Sequence, residues 1–312
     1  MTWVSWRLQR TETLIAVGIV ALLAALLIPT GIQMANAYHQ DGLAACLSIN
    51  PSKPVLCGNE LGDFQQRFQA LTTLANWFTL IPGMIGVLLA APFIFDLENG
   101  TYRLAWTQSI TRGRWLLGKL GLPVASAVLA AGALILLFTW WRAPNVHING
   151  RLDIGNYDTT GTVVIGYTLF ALALALALGA IWRRAAASLT VAFVAYFAVR
   201  IFVDYSLRNH LIAPLKATYK GAQQPSFLYN AHVMSVNATL HGKQIMSGSG
   251  GGFNGGHVHV EVAPGISNAV FHVVYQPASH FWPLQLTETG LFVGLATMLI
   301  LFAAWWTKAR TA

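Results

Sequence analysis

Charge is what this sequence has least of. Only 10% of its 312 residues are Asp, Glu, Lys or Arg, against roughly 25% in a soluble globular domain. A water-facing surface needs charge, so this deficit excludes a soluble protein more firmly than the 55% apolar content does. Cysteine is scarce too. Cys46 and Cys57 are the two present, and neither has a CxxC partner, which removes the usual structural zinc sites. A GxxxxGK[ST] phosphate loop is absent: Gly118-Lys119 has the wrong glycine spacing, and Leu120 follows the lysine. The chain is therefore not expected to bind ATP or any other cofactor itself. HExxH is absent as well, and no apolar run carries a cluster of His, Asp and Glu, which argues against a membrane enzyme. The net charge is +8. The basic residues sit in small groups between apolar runs and form no stripe interleaved with aromatics, so nucleic acid is not an expected partner.

Long apolar runs are abundant. About 20 mainly apolar residues suffice to cross a bilayer as a helix. Six stretches qualify: Thr13–Ala35, Leu74–Phe95, Leu120–Trp141, Gly161–Trp182, Ser188–Tyr205 and Leu286–Trp306. Within the fourth, Ala171–Leu178 alternates Ala and Leu, a period of two that favours a strand. Length and composition decide for a helix, since both residues are strong helix formers and an open strand in lipid leaves backbone groups unsatisfied. The first run has a basic leader and a small-residue Ala35-Asn36-Ala37 sequence, as a signal peptide does. Its apolar part exceeds the usual 7–15 residues or so, so a retained helix is expected.

Lys and Arg near short loops set membrane orientation. With the N-terminus in the cytoplasm, the inner segments are 1–12, 96–119, 183–187 and 307–312. They hold Arg7, Arg10, Arg103, Arg112, Arg114, Lys119, Arg183, Arg184, Lys308 and Arg310, a high density for so little chain. Trp140, Trp141, Trp182, Trp305 and Trp306 lie at run ends, where indole prefers the interface. Both termini are expected in the cytoplasm of a multi-pass plasma-membrane protein.

The histidines and both cysteines then fall outside. An oxidising exterior permits a Cys46–Cys57 disulfide closing the first external segment, 36–73; two free thiols are the alternative. The second external segment, 143–160, is short and rich in Asn, Asp and Gly. The third, about 206–285, is too long for a simple connector. Val233–Leu240, His257–Val262 and Phe271–Tyr275 read as strands, and Ser247–Gly256 as a flexible linker. His257, His259 and Glu261 share one face of a strand, a weak metal-ligand set. The alternative is a solvent-facing polar stripe on a half-buried strand, favoured because no third or fourth anchored ligand is visible.

The expected fold class is thus an all-α integral membrane protein of six transmembrane helices with a small external β-containing insert. Residues 1–205 hold five spans, 206–285 the insert, and 286–312 the last span and tail. Ionisable groups inside spans are functional candidates. Arg200 and Asp204 stand four apart on one helix face near its outer end, either as a structural pair or as a pathway gate. Glu288 is similar, and Asn76, Pro82, Gly83 and Gly86 mark either a packing face or a bend in the second run.

The inner segment after the second run is the most informative. Asp96 and Glu98 come first, then Gly100-Thr101, then an amphipathic stretch with Arg103, Leu104 and Trp106, and last Arg112, Arg114 and Lys119 leading into the third run. This order resembles the permease subunits of ABC-2-type (ATP-binding-cassette) transporters, in which an acidic-x-x-Gly-Thr sequence, an Arg-containing turn and a Gly-Lys pair frame a cytoplasmic coupling helix, here near 97–117. The resemblance extends to the six spans, to an interfacial N-terminal helix (Thr2–Arg10), and to actinobacterial permeases of this class at Tyr275-Gln-Pro-Ala-Ser-His-Phe-Trp282 leading into Glu288. It implies a separate cytoplasmic ATPase, in two copies, docking on Asp96–Lys119 and carrying the ATP and magnesium. It also implies a second permease copy, as a homodimer or a heterodimer, and outward movement of hydrophobic or amphipathic cargo such as drugs, antibiotics or lipid-like molecules. The alternative is a membrane-anchored sensor, or a mechanical or assembly subunit acting through the insert.

Overall fold

The computed structural model describes residues 2–49, 57–102, 111–221, 225–228, 230–241, 243–249 and 268–310. The helices are α1 (Thr2–Gln40), α2 (Leu43–Ile49), α3 (Gly58–Asn76), α4 (Ile81–Glu98), α5 (Arg112–Trp141), α6 (Ala143–Asn149), α7 (Ile154–Thr159), α8 (Val163–Trp182), α9 (Ala185–Phe202), α10 (Arg208–Leu211) and α11 (Phe281–Arg310). Six helical segments are long and apolar enough to cross a membrane. They coincide with the six apolar runs, and the chain is a multi-pass membrane protein.

α8 lies at the centre, packed against α4, α11, α9 and α5. Both halves of its Ala-Leu alternation are buried: Ala171, Ala173 and Ala175 as well as Leu172 and Leu176. A helix apolar all round belongs in the middle of a bundle. Without a strong hydrophobic drive between helices in lipid, small residues let backbones approach closely. Gly86 of α4 illustrates this, since a Cβ there would stand 2.3 Å from the Thr168 carbonyl oxygen of α8. The peripheral helices turn large apolar side chains outward, among them Leu22, Leu117, Leu129, Leu136 and Leu301.

Several boundaries differ from expectation. α1 is one continuous helix, so the N-terminal segment runs into the first span without a break. The polar segment 36–73 is largely helical: α1 persists to Gln40, and α3 joins α4 through a 3-10 turn (Trp77–Leu80). Cys46 and Cys57 are joined by a disulfide that ties α2 to the start of α3. We expect the intact mass to rise by two hydrogens on reduction; two thiols alkylated in fresh protein without reductant would contradict the bridge.

The fifth span also overshoots residue 205. α9 passes into a π-helical turn (Val203–Leu207) and then α10, ending at Leu211. The last span starts early, at Phe281. Between them lies an antiparallel sheet of β1 (Leu215–Lys220), β2 (His232–Leu240), β3 (Lys243–Ser249) and β4 (Val270–Gln276), in the order β1-β4-β2-β3. Val236 faces Val273 and Ala238 faces Phe271 in register, and these four form a small core with Leu228 and Tyr275. β2 and β4 match the expected strands. β1 and β3 are more polar and sit at the sheet edges, where one neighbouring strand suffices. Ser247–Ser249, expected in a flexible linker, instead pairs with Ser235–Asn237 because β3 needs a partner for its backbone. His257, His259 and Glu261 lie outside the described residues.

Candidate functional site

The structure places polar chemistry at both ends of the bundle. At the sheet end, segment 143–160 is not a solvated loop. α6 and α7 fold back against the bundle, and Asn156, Asp158 and Thr159 are buried. The reason is charge. Asp158 meets two guanidiniums: Arg200 Nη2 at 2.8 Å and Arg208 Nη2 at 2.7 Å. Arg208 also donates to Asp204 Oδ1 at 2.6 Å, and through Nε and Nη2 to both oxygens of Glu288 at 3.0 Å each. Arg200 reaches Asp204 Oδ2 at 3.3 Å. Tyr157 and Tyr167 donate their hydroxyls to Glu288 at 3.0 and 2.6 Å. Their rings receive the cations, with Arg200 lying 3.5 Å above the centre of Tyr167 and Arg208 4.5 Å above that of Tyr157.

Five ionised groups from α7, α9, the π turn, α10 and α11 thus form one network. The π turn contributes directly. Residues eight apart drift around an ordinary helix, whereas the greater number of residues per turn in the π segment keeps Arg200, Asp204 and Arg208 on one face. Arg200 and Asp204, read from the sequence as a structural pair or a pathway gate, do pair, and the structure adds that Arg200 and Arg208 are almost wholly buried and share their carboxylates. Asp158 and Arg208 were missed. Continuing the Arg200–Asp204 spacing by four more residues reaches Arg208, the signal that was present. Asp158 had no local signal, since its partners lie 42 and 50 residues away.

Burial works to raise the Asp158 carboxyl, but the Arg208 and Arg200 guanidiniums outweigh it and hold the carboxyl below its ordinary range. Burial and the Glu288 carboxylate push the Tyr157 phenol up. Arg142, at the end of α5, is brought down to about 10 by burial, against the partial opposition of Asp153 and Asp158. Its contacts are neutral: Nη1 donates to Asn156 Oδ1 at 3.3 Å and Nη2 to the Ala75 carbonyl at 3.0 Å. Asn76 borders the same region and lines the cavity beside it.

At the opposite end, the turn after α4 is tied to two other spans. Asp96 forms an ion pair with Lys119 of α5, which is buried, and accepts the Thr101 hydroxyl at 2.9 Å. Glu98 Oε2 accepts the Ala185 backbone N–H at 3.0 Å, at the first residue of α9, where the helix leaves donors unsatisfied. Gly100 has φ +69°, the left-handed region that glycine enters freely. The Asp96-Leu-Glu-Asn-Gly-Thr101 sequence is therefore a built turn. Arg103, Leu104 and Trp106 lie outside the described residues. Arg112 opens α5, and Arg114 is exposed on its first turn. Among the described residues, no group of three or more His, Cys, Asp and Glu side chains is placed to hold a metal ion.

Six apolar crossings, a central helix gripped by the others and a turn anchored to three spans define a polytopic membrane protein. The chain belongs to the family of ABC-2 membrane transporter related proteins, whose model matches residues 17–208, from α1 to the start of α10. It is a permease subunit, and permeases of this family generally work with an ATPase partner. No curated protein and no solved structure matches the chain.

Proposed function

We propose that this permease is the membrane half of an ATP-driven exporter, that both its termini lie in the cytoplasm, and that the ATPase docks on segment 96–119. A cytoplasmic ATPase needs a handle that moves several spans together. The anchoring of the turn after α4 supports this reading. Asp96 joins it to α5 through Lys119, and Glu98 joins it to α9 through the Ala185 N–H. A push on the turn is thereby shared by α4, α5 and α9, with Asp96, Glu98, Gly100, Thr101 and Lys119 shaping the handle. Arg103, Leu104, Trp106, Arg112 and Arg114 supply the contact surface. Two permeases and two ATPases complete the machine, ATP and magnesium are held by the ATPases, and the cargo leaves the cell with an amphipathic character.

Affinity purification from the native membrane tests this. A nucleotide-hydrolysing subunit is expected at a one-to-one ratio. Glu98→Ala should retain the fold but uncouple transport from ATP hydrolysis, since one lost cap costs the protein only about 1 kcal/mol. A native complex without any such subunit, or a Glu98→Ala complex with full coupling, would defeat the proposal.

A further inference from the structure

Beside the charge network, at the sheet end, lies a cavity of about 640 Å³ between α3 with its 3-10 turn, α6, α7, α9 and the π turn. That is the size of a small-molecule site. Hydroxyl and amide side chains such as Thr72, Thr73, Asn76 and Asn145 line it, in contrast to the apolar faces that the outer helices turn outward. Two features point to a ligand.

The first is Arg142, which lines the cavity and is only 1% exposed. Among the described residues it makes no ion pair, and its Nε has no hydrogen-bond partner. Asp153 and Asp158, which line the same cavity, offset part of the cost of burying this guanidinium, but neither forms an ion pair with it, and an anionic group in direct contact would lower that cost further. The second is the sign of the network on the other wall. Arg200 and Arg208 face three carboxylates, Asp158, Asp204 and Glu288. One negative charge is left over. Asp204 is the most accessible of the three, with its side chain 21% exposed against 3% for Asp158 and 0% for Glu288, and it lines the cavity.

From this opposition we infer that the cavity binds a zwitterion, with its anionic group at Arg142, its ammonium at Asp204, and Asn76 and Asn145 hydrogen-bonding between them. A phosphoethanolamine-type lipid headgroup and a soluble amino phosphate share this chemistry. The inference deepens the transport reading by giving the cargo a polar end of defined charge. Binding requires no ATPase, so it fails or succeeds separately from ATPase coupling.

The test uses the full chain in detergent, with binding followed by tryptophan fluorescence and thermal unfolding. The probes are dihexanoyl-phosphatidylethanolamine, phosphorylethanolamine alone, dihexanoyl-phosphatidylglycerol as an anion-only control, and hexyltrimethylammonium as a cation-only control. The phosphatidylethanolamine is expected to bind at least about tenfold more tightly than either control, the worth of one added charge-assisted contact. Asp204→Asn and Arg142→Gln should each abolish that margin. Thr73→Phe, at an exposed lining position, leaves every charge in place and should block binding while preserving the melting temperature, so the test survives if a charge variant fails to fold. Equal affinity for phosphorylethanolamine alone assigns the site to a soluble zwitterion, and a preference for the lipid assigns it to a headgroup; both support the inference. Equal binding of the single-charge controls, zwitterion binding that persists in Thr73→Phe, or no binding of any probe would overturn it.

Discussion

Replacing Arg208 by methionine is expected to collapse the sheet end of the bundle. Arg208 is the hub of the network, fully buried and in contact with Asp158, Asp204 and Glu288 at once. Methionine fills much of the same volume but leaves three carboxylates facing each other with Arg200 as their remaining cation. Breaking a buried ion pair by removing one partner costs about 3–5 kcal/mol, a large part of a typical 5–15 kcal/mol or so of total stability. Thermal unfolding in detergent should show a marked loss for Arg208→Met. Arg208→Lys should recover part of it, since a lysine keeps the charge but cannot grip Glu288 through two nitrogens. Adding Glu288→Gln to Arg208→Met should also recover part, by removing one stranded charge. An Arg208→Met protein that melts with the parent would show that the network contributes nothing to stability.

The second large effect is steric. Gly86→Val places a branched side chain where a single Cβ would already lie 2.3 Å from the Thr168 carbonyl oxygen, 2.9 Å from Ala171 Cβ and 2.9 Å from the Leu172 nitrogen. Two of these three atoms are backbone, so no flexible side chain can swing away. α4 and α8 must separate. Overpacking of this kind costs about 1–3 kcal/mol. Because α4 ends at the anchored turn, the shift should also lower coupled ATPase activity. Gly132→Ala is the control: no atom lies within 4 Å of its added Cβ, and alanine is the better helix former. It should be neutral or slightly stabilising. Gly86→Val with a parental melting temperature and parental activity would mean that the close α4–α8 contact is not needed.

Part of the candidate site was legible in the sequence. Arg200, Asp204 and Glu288 stand out because an ionisable group in an apolar run is conspicuous wherever its partner lies. Asp158, Arg142, Tyr157 and Tyr167 do not stand out. The first two sit in or beside a polar segment where charge is ordinary. The tyrosines read as routine aromatic residues until their hydroxyls meet Glu288. Arg208 was hidden by a misplaced helix end, since the polar residues after Tyr205 look like the start of a loop. They remain helical because Arg208 is neutralised from α7 and α11.

What the sequence determined by itself is the set of local properties: the six spans, the strands β2 and β4, and the turn chemistry of Asp96, Glu98, Gly100 and Thr101. A helix crosses a membrane because of its own length and apolarity, and a glycine takes a left-handed turn because of its own missing side chain. The charge network, the buried Arg142 and the polar cavity between them were decided by the tertiary structure alone. Asp158 lies 50 residues from Arg208, and Glu288 lies 80 residues beyond it. In a low-dielectric interior a charge is tolerable only beside its partner, and no spacing along the chain announces which distant helix will bring that partner into contact.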